Sequence, residues 1–260
     1  MMHLEQIKNF FPEEIRENAS FHKYMLKEYI QLSILDFLSS TPFVRKVVFI
    51  GGTNLRLTKG IDRFSEDLEF DCRDLSKEEF MEMTDAIISF LKRSGYQVQV
   101  RDRENKKLLA FRRNILFPEL LFDLGLSGHR DERFLIKVES EDQQANYKSM
   151  LINIRGCGFY FPFPVPSDGV LCAMKLSAML SRQKGRDFYD AMFLLALSRP
   201  DYTFLSDRMH IHNLEELKDS VSEILKTVDL NVKKKDFEHL LFRKRNSERI
   251  LSVGDFFRDL

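Results

Sequence analysis

FIGGTNLRLTKGIDRFSEDLEFDC, residues 49–72, decides how the chain is read. An apolar run, VRKVVFI, ends at Gly51-Gly52 and is expected to be a short strand. TNLRLTKG fits a short helix stopped by Gly60. DLEFDC alternates polar and apolar residues, the pattern of a half-buried strand. Alternation puts Leu68, Phe70 and Cys72 on one face, toward a core, and Asp67, Glu69 and Asp71 on the other. Carboxylates two residues apart on one strand converge readily on Mg²⁺, a hard cation that prefers oxygen ligands. Taken alone, such a D-x-E is more often a solvated strand face. Its neighbours change that balance. Gly51, Gly52 and Thr53 offer backbone N–H groups, a hydroxyl and a helix N-terminus, which suit a triphosphate. Neither GxxxxGK[ST] nor GxGxxG is present, so this is not a P-loop or a dinucleotide loop.

A second stretch, MKLSAMLSRQKGRDFYDAMFL (174–194), carries charges at helical spacing. Lys175, Ala178, Met179 and Arg182 share one face, and Arg186 and Asp187 each lie about one turn from Asp190. Lys175 and Arg182 suit a triphosphate, with Asp187 and Asp190 orienting the cations. On its own, surface salt bridging explains the run as well.

Together the two stretches resemble the AbiEii/AbiGii nucleotidyltransferase-like toxins, relatives of the DNA polymerase β-type superfamily. The first motif is carried by Gly51-Gly52-Thr53, the Arg63-Phe64-Ser65 loop and Glu66-Asp67-Leu68-Glu69-Phe70. Glu69 stands where the family usually has Asp. The second is carried by Lys175, Leu176, Ala178, Arg182, Arg186, Asp187 and Asp190. The resemblance covers about residues 45–200. It implies an α+β fold, with a nucleotidyltransferase-like mixed β-sheet lobe and a C-terminal helical bundle closing a cleft over it. It also implies transfer of NMP from an NTP to an acceptor hydroxyl, with release of pyrophosphate. The implied catalytic residues are Asp67, Glu69, Lys175 and Asp190. The implied phosphate-binding residues are Gly51, Gly52, Thr53, Arg63, Ser65, Lys175, Arg182 and Arg186. Mg²⁺ or Mn²⁺ would sit on Asp67 and Glu69, with Glu139 of FLIKVES as third ligand and Asp123 as the alternative. The resemblance further implies a toxin of a toxin–antitoxin or phage-defence system, with RNA, tRNA foremost, as acceptor and a cognate antitoxin as partner. Small-molecule and protein acceptors stay open, as does a non-catalytic nucleotide-binding scaffold.

The remaining sequence sets the frame. The chain has 260 residues, enough for one large domain or two modest ones. Lys+Arg and Asp+Glu are both 40, so any nucleic-acid contact must come from local patches rather than net charge. Lys233–Lys235 and Arg243–Arg245 are short basic clusters; such runs are most often solvated faces, and with an RNA substrate they are where a phosphate backbone would rest. No apolar run is long enough to span a membrane, and the N-terminus does not read as a signal peptide. Cys72, Cys157 and Cys172 read as reduced thiols, so a cytoplasmic protein is expected. His210 and His212 have no suitably spaced partners for zinc, and Cys157 has no base nearby to make it a nucleophile.

Residues 1–42 are expected to be helices packing on the core, and 43–165 the nucleotidyltransferase-like lobe. Within that lobe a capping box at Ser76 and Glu79 opens a helix closed by Gly95. YQVQVR, KLLAFRRNI and FLIKVES are strand candidates. The segment 145–166, with Pro162, Pro164 and Pro166, is expected to be irregular. Residues 166–260 are expected to form a helical lobe, with helices at 168–182, 186–198, 213–228, 234–244 and 247–259.

Overall fold

The computed structural model describes residues 3–72, 74–101 and 110–260. The chain separates into two compact units. The first comprises Met1–Lys59, Phe64–Gln143 and Leu151–Val165, and the second Gly60–Arg63, Gln144–Met150 and Pro166–Leu260.

The first unit is built on a five-stranded mixed sheet, in the order β1-β2-β5-β4-β3. Its strands are β1 (Val47–Ile50), β2 (Asp67–Cys72), β3 (Gln99–Val100), β4 (Phe111–Leu116) and β5 (Leu135–Glu141). β2 and β5 run parallel, and the other pairs are antiparallel. The start of the expected strand over KLLAFRRNI, at 107–109, lies outside the described residues. Alternation works on both parallel strands. Leu68, Phe70, Ile136 and Val138 are buried on one face, while Asp67, Glu69, Leu135, Lys137 and Glu139 occupy the other, partly open face.

Helix α1 (His22–Ser39) is covered nearly all round. Its interior charges are paired: Arg56 Nε donates to Glu28 at 2.8 Å and Lys27 Nζ donates to Glu66 at 3.2 Å. The expected helical stretch before it is interrupted, with short turns at Leu4–Lys8 and Glu13–Arg16 on either side of Pro12. Helix α2 (Gly51–Asn54) follows β1 at once and runs into a π-helical turn, Leu55–Lys59. Helix α3 (Lys77–Arg93) starts on the capping box between Ser76 and Glu79.

The segment expected to be irregular contains a hairpin, β6 (Met150–Gly156) and β7 (Phe159–Val165). Its turn residues, Cys157 and Gly158, both have positive φ, 46° and 84°, as a type I′ turn requires. The prolines were misleading because this sheet has only two strands. Pro162 and Pro164 are two residues apart, so both missing N–H groups fall on the outer edge of β7, where no ladder bond is needed. Phe161, Phe163 and Val165 fill the other face and are buried.

The second unit is mainly helical: α4 (Asp168–Arg182), α5 (Gly185–Leu195), α6 (Tyr202–Met209) and α7 (Leu214–Leu225). Ser167, Asp201 and Asn213 cap three of these by accepting from backbone N–H groups. The continuous helix expected over 234–244 is absent. Short 3₁₀ turns stand there instead, at Lys234–Asp236 and Glu238–Leu240. The chain departs from helix because it follows residues 60–63. Leu241 bridges Arg63, and the Phe242 N–H donates to the Asp62 carbonyl at 3.1 Å. The region 247–259 is 3₁₀ through Ser252 and α-helical only over Val253–Arg258.

Candidate active site

On the first unit, three carboxylates share the open face of the two parallel strands. The register sets Asp67 opposite Lys137 and Glu69 opposite Glu139. Neighbouring strands lie about 4.8 Å apart, so the Glu69 and Glu139 side chains rise side by side. Asp67 is in the same group: burial first, and then the charges of Glu69 and Glu139, raise its pKa, against the lowering effect of Lys137. Lys137 Nζ lies 2.9 Å from Asp67 Oδ2 and 3.2 Å from Glu139 Oε2. Burial opposes the charge of that ammonium, but the two carboxylates outweigh it and its pKa is raised. Arg112, opposite Glu139 on β4, donates to Glu139 as well.

The glycine turn is built around Glu69. Gly51 has φ of +82°, and a Cβ there would lie 1.7 Å from Glu69 Oε2. The Gly52 N–H donates to that same oxygen at 3.2 Å. The first donor of the turn thus faces a carboxylate, as expected of an anion-accepting helix N-terminus. Thr53 is buried, and its hydroxyl donates to the Asp67 carbonyl at 2.5 Å, tying the turn to the start of β2. Ser65 is buried and its carbonyl accepts from Gln31.

Two acids stand apart from this group. Asp71 is buried and accepts from the Gln143 N–H at 2.9 Å. Asp123 ends a short helix, Leu120–Asp123, and is exposed.

On the second unit, Asp190 is fully buried between two cations. Arg63 grips it with two bonds, Nε to Oδ1 at 2.8 Å and Nη2 to Oδ2 at 2.7 Å. Lys175 Nζ lies 2.9 Å from Oδ2. Burial alone would raise the Asp190 pKa, but Arg63 and Lys175 outweigh it and hold the carboxyl down at about 2. Arg63 itself is 1% exposed, so its guanidinium serves Asp190 inside the unit. Arg182 is exposed, and its Nη2 donates to the buried Asp187 at 2.7 Å. Arg186, one residue before Asp187, is partly exposed.

Beside this pair lies a second network. Tyr189 OH donates to Asp62 Oδ1 at 2.6 Å, and Asn246 Nδ2 donates to Asp62 Oδ2 at 2.6 Å. Arg249 Nη1 donates to the Tyr189 oxygen at 3.1 Å. Sequence reasoning passed over this network, since Asp62 and Asn246 lie 184 residues apart. It also passed over Lys137 and Arg112. For Lys137 a signal was available, because the alternation that singles out Glu139 puts Lys137 on the same face.

A family model, the nucleotidyl transferase AbiEii toxin of type IV toxin–antitoxin systems, matches residues 34–248. The chain belongs to the AbiEii family. Its class of activity is therefore nucleotidyl transfer, and the family pairs such a toxin with an antitoxin. Solved structures agree on the fold. MenT4, a nucleotidyltransferase toxin from Mycobacterium tuberculosis H37Rv, is 20% identical with a TM-score of 0.64, over 100% of this chain and 91% of MenT4. JHP933 from Helicobacter pylori is 21% identical with a TM-score of 0.53, over 90% of each chain. No curated protein matches. Among the described residues of this AbiEii protein, no helix is long and apolar enough to cross a membrane.

Proposed function

We propose that this AbiEii-family protein transfers NMP from an NTP to a hydroxyl of RNA, with tRNA the favoured acceptor, in a reaction that depends on Mg²⁺ or Mn²⁺. The observation that supports it most is the gathering of Asp67, Glu69 and Glu139 on one face of adjacent parallel strands, where Lys137 contacts Asp67 and Glu139.

The residues fit a hard divalent ion. Asp67 and Glu69 would hold it, with Glu139 in reach on the next strand. All are oxygen donors, and Mg²⁺ needs only one or two carboxylates besides phosphate and water. Among the described residues, no three such side chains are drawn together tightly enough to hold a metal as they stand. Lys137 and Arg112 occupy Glu139, and Gly52 occupies Glu69. When bound, the ion would neutralise phosphate charge and favour the leaving pyrophosphate.

The chain's own groups would do the rest. The Gly52 N–H, which donates to Glu69, would be a donor for a phosphate oxygen. Thr53 and Ser65 keep the turn and the start of β2 in place. Lys175, fixed by Asp190, would be the cation that neutralises phosphate charge. Arg182 and Arg186 add cationic character on the same unit. The exposed Arg243–Arg245 run gives a local surface for an RNA backbone in a chain whose overall charge is zero.

The acceptor is tested with purified protein, Mn²⁺, each α-labelled NTP in turn and total tRNA, beside an Asp67→Ala/Glu69→Ala variant. Label in RNA with the wild type only supports the proposal and names the nucleotide. Label in protein or in a small molecule instead overturns the RNA acceptor and leaves the transferase chemistry standing.

A further inference from the structure

We infer that Lys137 is a resident cation of the acidic site, holding Asp67 and Glu139 together until a divalent ion displaces it. The inference rests on the metal-dependent reading above and adds a regulator of metal affinity to it.

The geometry is specific. Lys137 Nζ contacts one oxygen of each carboxylate, at 2.9 Å and 3.2 Å, across two neighbouring strands. A single cation bridging two carboxylates is the arrangement a metal ion would itself adopt there. The contacts are not a surface accident. The side chains of Asp67, Glu139 and Lys137 are 19%, 15% and 24% exposed, so all three are largely withdrawn from water. The local charge count points the same way. Asp67, Glu69 and Glu139 carry three negative charges, facing Lys137 and Arg112. Closely spaced carboxylates repel one another, and without the lysine the cluster would keep a larger uncompensated charge.

The two cations are not equivalent. Arg112 contacts Glu139 from β4, whereas Lys137 reaches both Glu139 and Asp67. A lysine ammonium sits on a flexible four-carbon stem, so it can leave the carboxylates without moving the strand that carries it. A divalent ion entering at Asp67 would then meet a site already shaped for positive charge, but one it must take from Lys137. The affinity for the ion is thereby lowered by the free energy of the lysine contacts, and the empty site is protected from self-repulsion.

Two measurements test this. Mn²⁺ binding, followed by electron paramagnetic resonance of the free ion, is compared for wild type and Lys137→Met. The variant is expected to bind roughly tenfold tighter, the scale of one unit charge acting at a partly buried site. Independently of any variant, the Lys137 amine of the wild type is probed with an acylating reagent and read by mass spectrometry. It is expected to be protected without metal and to become reactive when Mn²⁺ alone is added. Equal or weaker Mn²⁺ binding by Lys137→Met, beside a wild type that binds, overturns the inference and leaves the metal site intact. Lys137 reactivity that ignores Mn²⁺ in a wild type that binds it does the same. Absence of Mn²⁺ binding in both proteins overturns the metal reading itself, and the inference with it.

Discussion

Glu69 Oε2 lies 1.7 Å from the point where a Cβ on Gly51 would stand. The glycine turn and the acid two residues into β2 are therefore one structural unit. The backbone of Gly51 is left-handed, with φ of +82°, which an L side chain rarely adopts. Gly51→Ala is expected to push the Glu69 carboxylate away and strain the turn. A loss of about 1–3 kcal/mol in stability should follow, with transfer activity falling much further. Urea unfolding beside NTP incorporation separates the two effects. A variant with unchanged activity would show that Glu69 need not stay where it is.

Asp190 is the structural centre of the second motif. Replacing it with Asn leaves Arg63 and Lys175 buried without their counter-charge. That should cost about 3–5 kcal/mol. Lys175→Met should cost clearly less, because Arg63 still holds Asp190 through two bonds. Both variants should lose transfer activity. Thermal unfolding of the two, measured together, checks the order; Lys175→Met being the less stable would contradict it.

The same buried pair sets a pH dependence. The Asp190 carboxyl is depressed from 3.8 to about 2 in the folded protein. Its charge therefore stabilises the fold above the unfolded value, near 3.8, and that contribution is lost as pH falls toward about 2. The stability gap between wild type and Asp190→Asn should be constant at neutral pH and should shrink over that acid window. Urea midpoints taken across it give the answer.

Much of the first unit could be read from the sequence because period-two alternation is local. It marked β2 and β5, and so the face bearing Asp67, Glu69 and Glu139. Caps are local too, which is why Ser76 announces its helix. The hairpin at 150–165 was not legible, since a proline's cost depends on whether its strand has a neighbour on that side. Nor was the fate of 234–244, where the chain gives up helix to pair with residues 60–63. Charge partners show the same division. That Arg63 serves Asp190, 127 positions away, depends on tertiary structure alone.

Gly185 provides a test of how tightly the helical unit is assembled. A Cβ there would meet the Lys233 carbonyl at 1.9 Å. Backbone has little room to yield, so Gly185→Ala should destabilise by about 1–3 kcal/mol despite alanine's better helix propensity. An unchanged melting temperature would mean that the segment around Lys233 packs more loosely than it does here.

The most direct test concerns the acids of β2. Pyrophosphate release and transfer of α-label are measured with Mg²⁺ or Mn²⁺ for wild type, Asp67→Asn and Glu69→Gln, each first shown to be folded by circular dichroism. Wild-type turnover that needs the divalent ion and disappears in both folded variants is the expected result. Turnover that persists in either variant, or that proceeds with the ion chelated, would contradict the assignment of Asp67 and Glu69 as the metal-binding acids of this transferase.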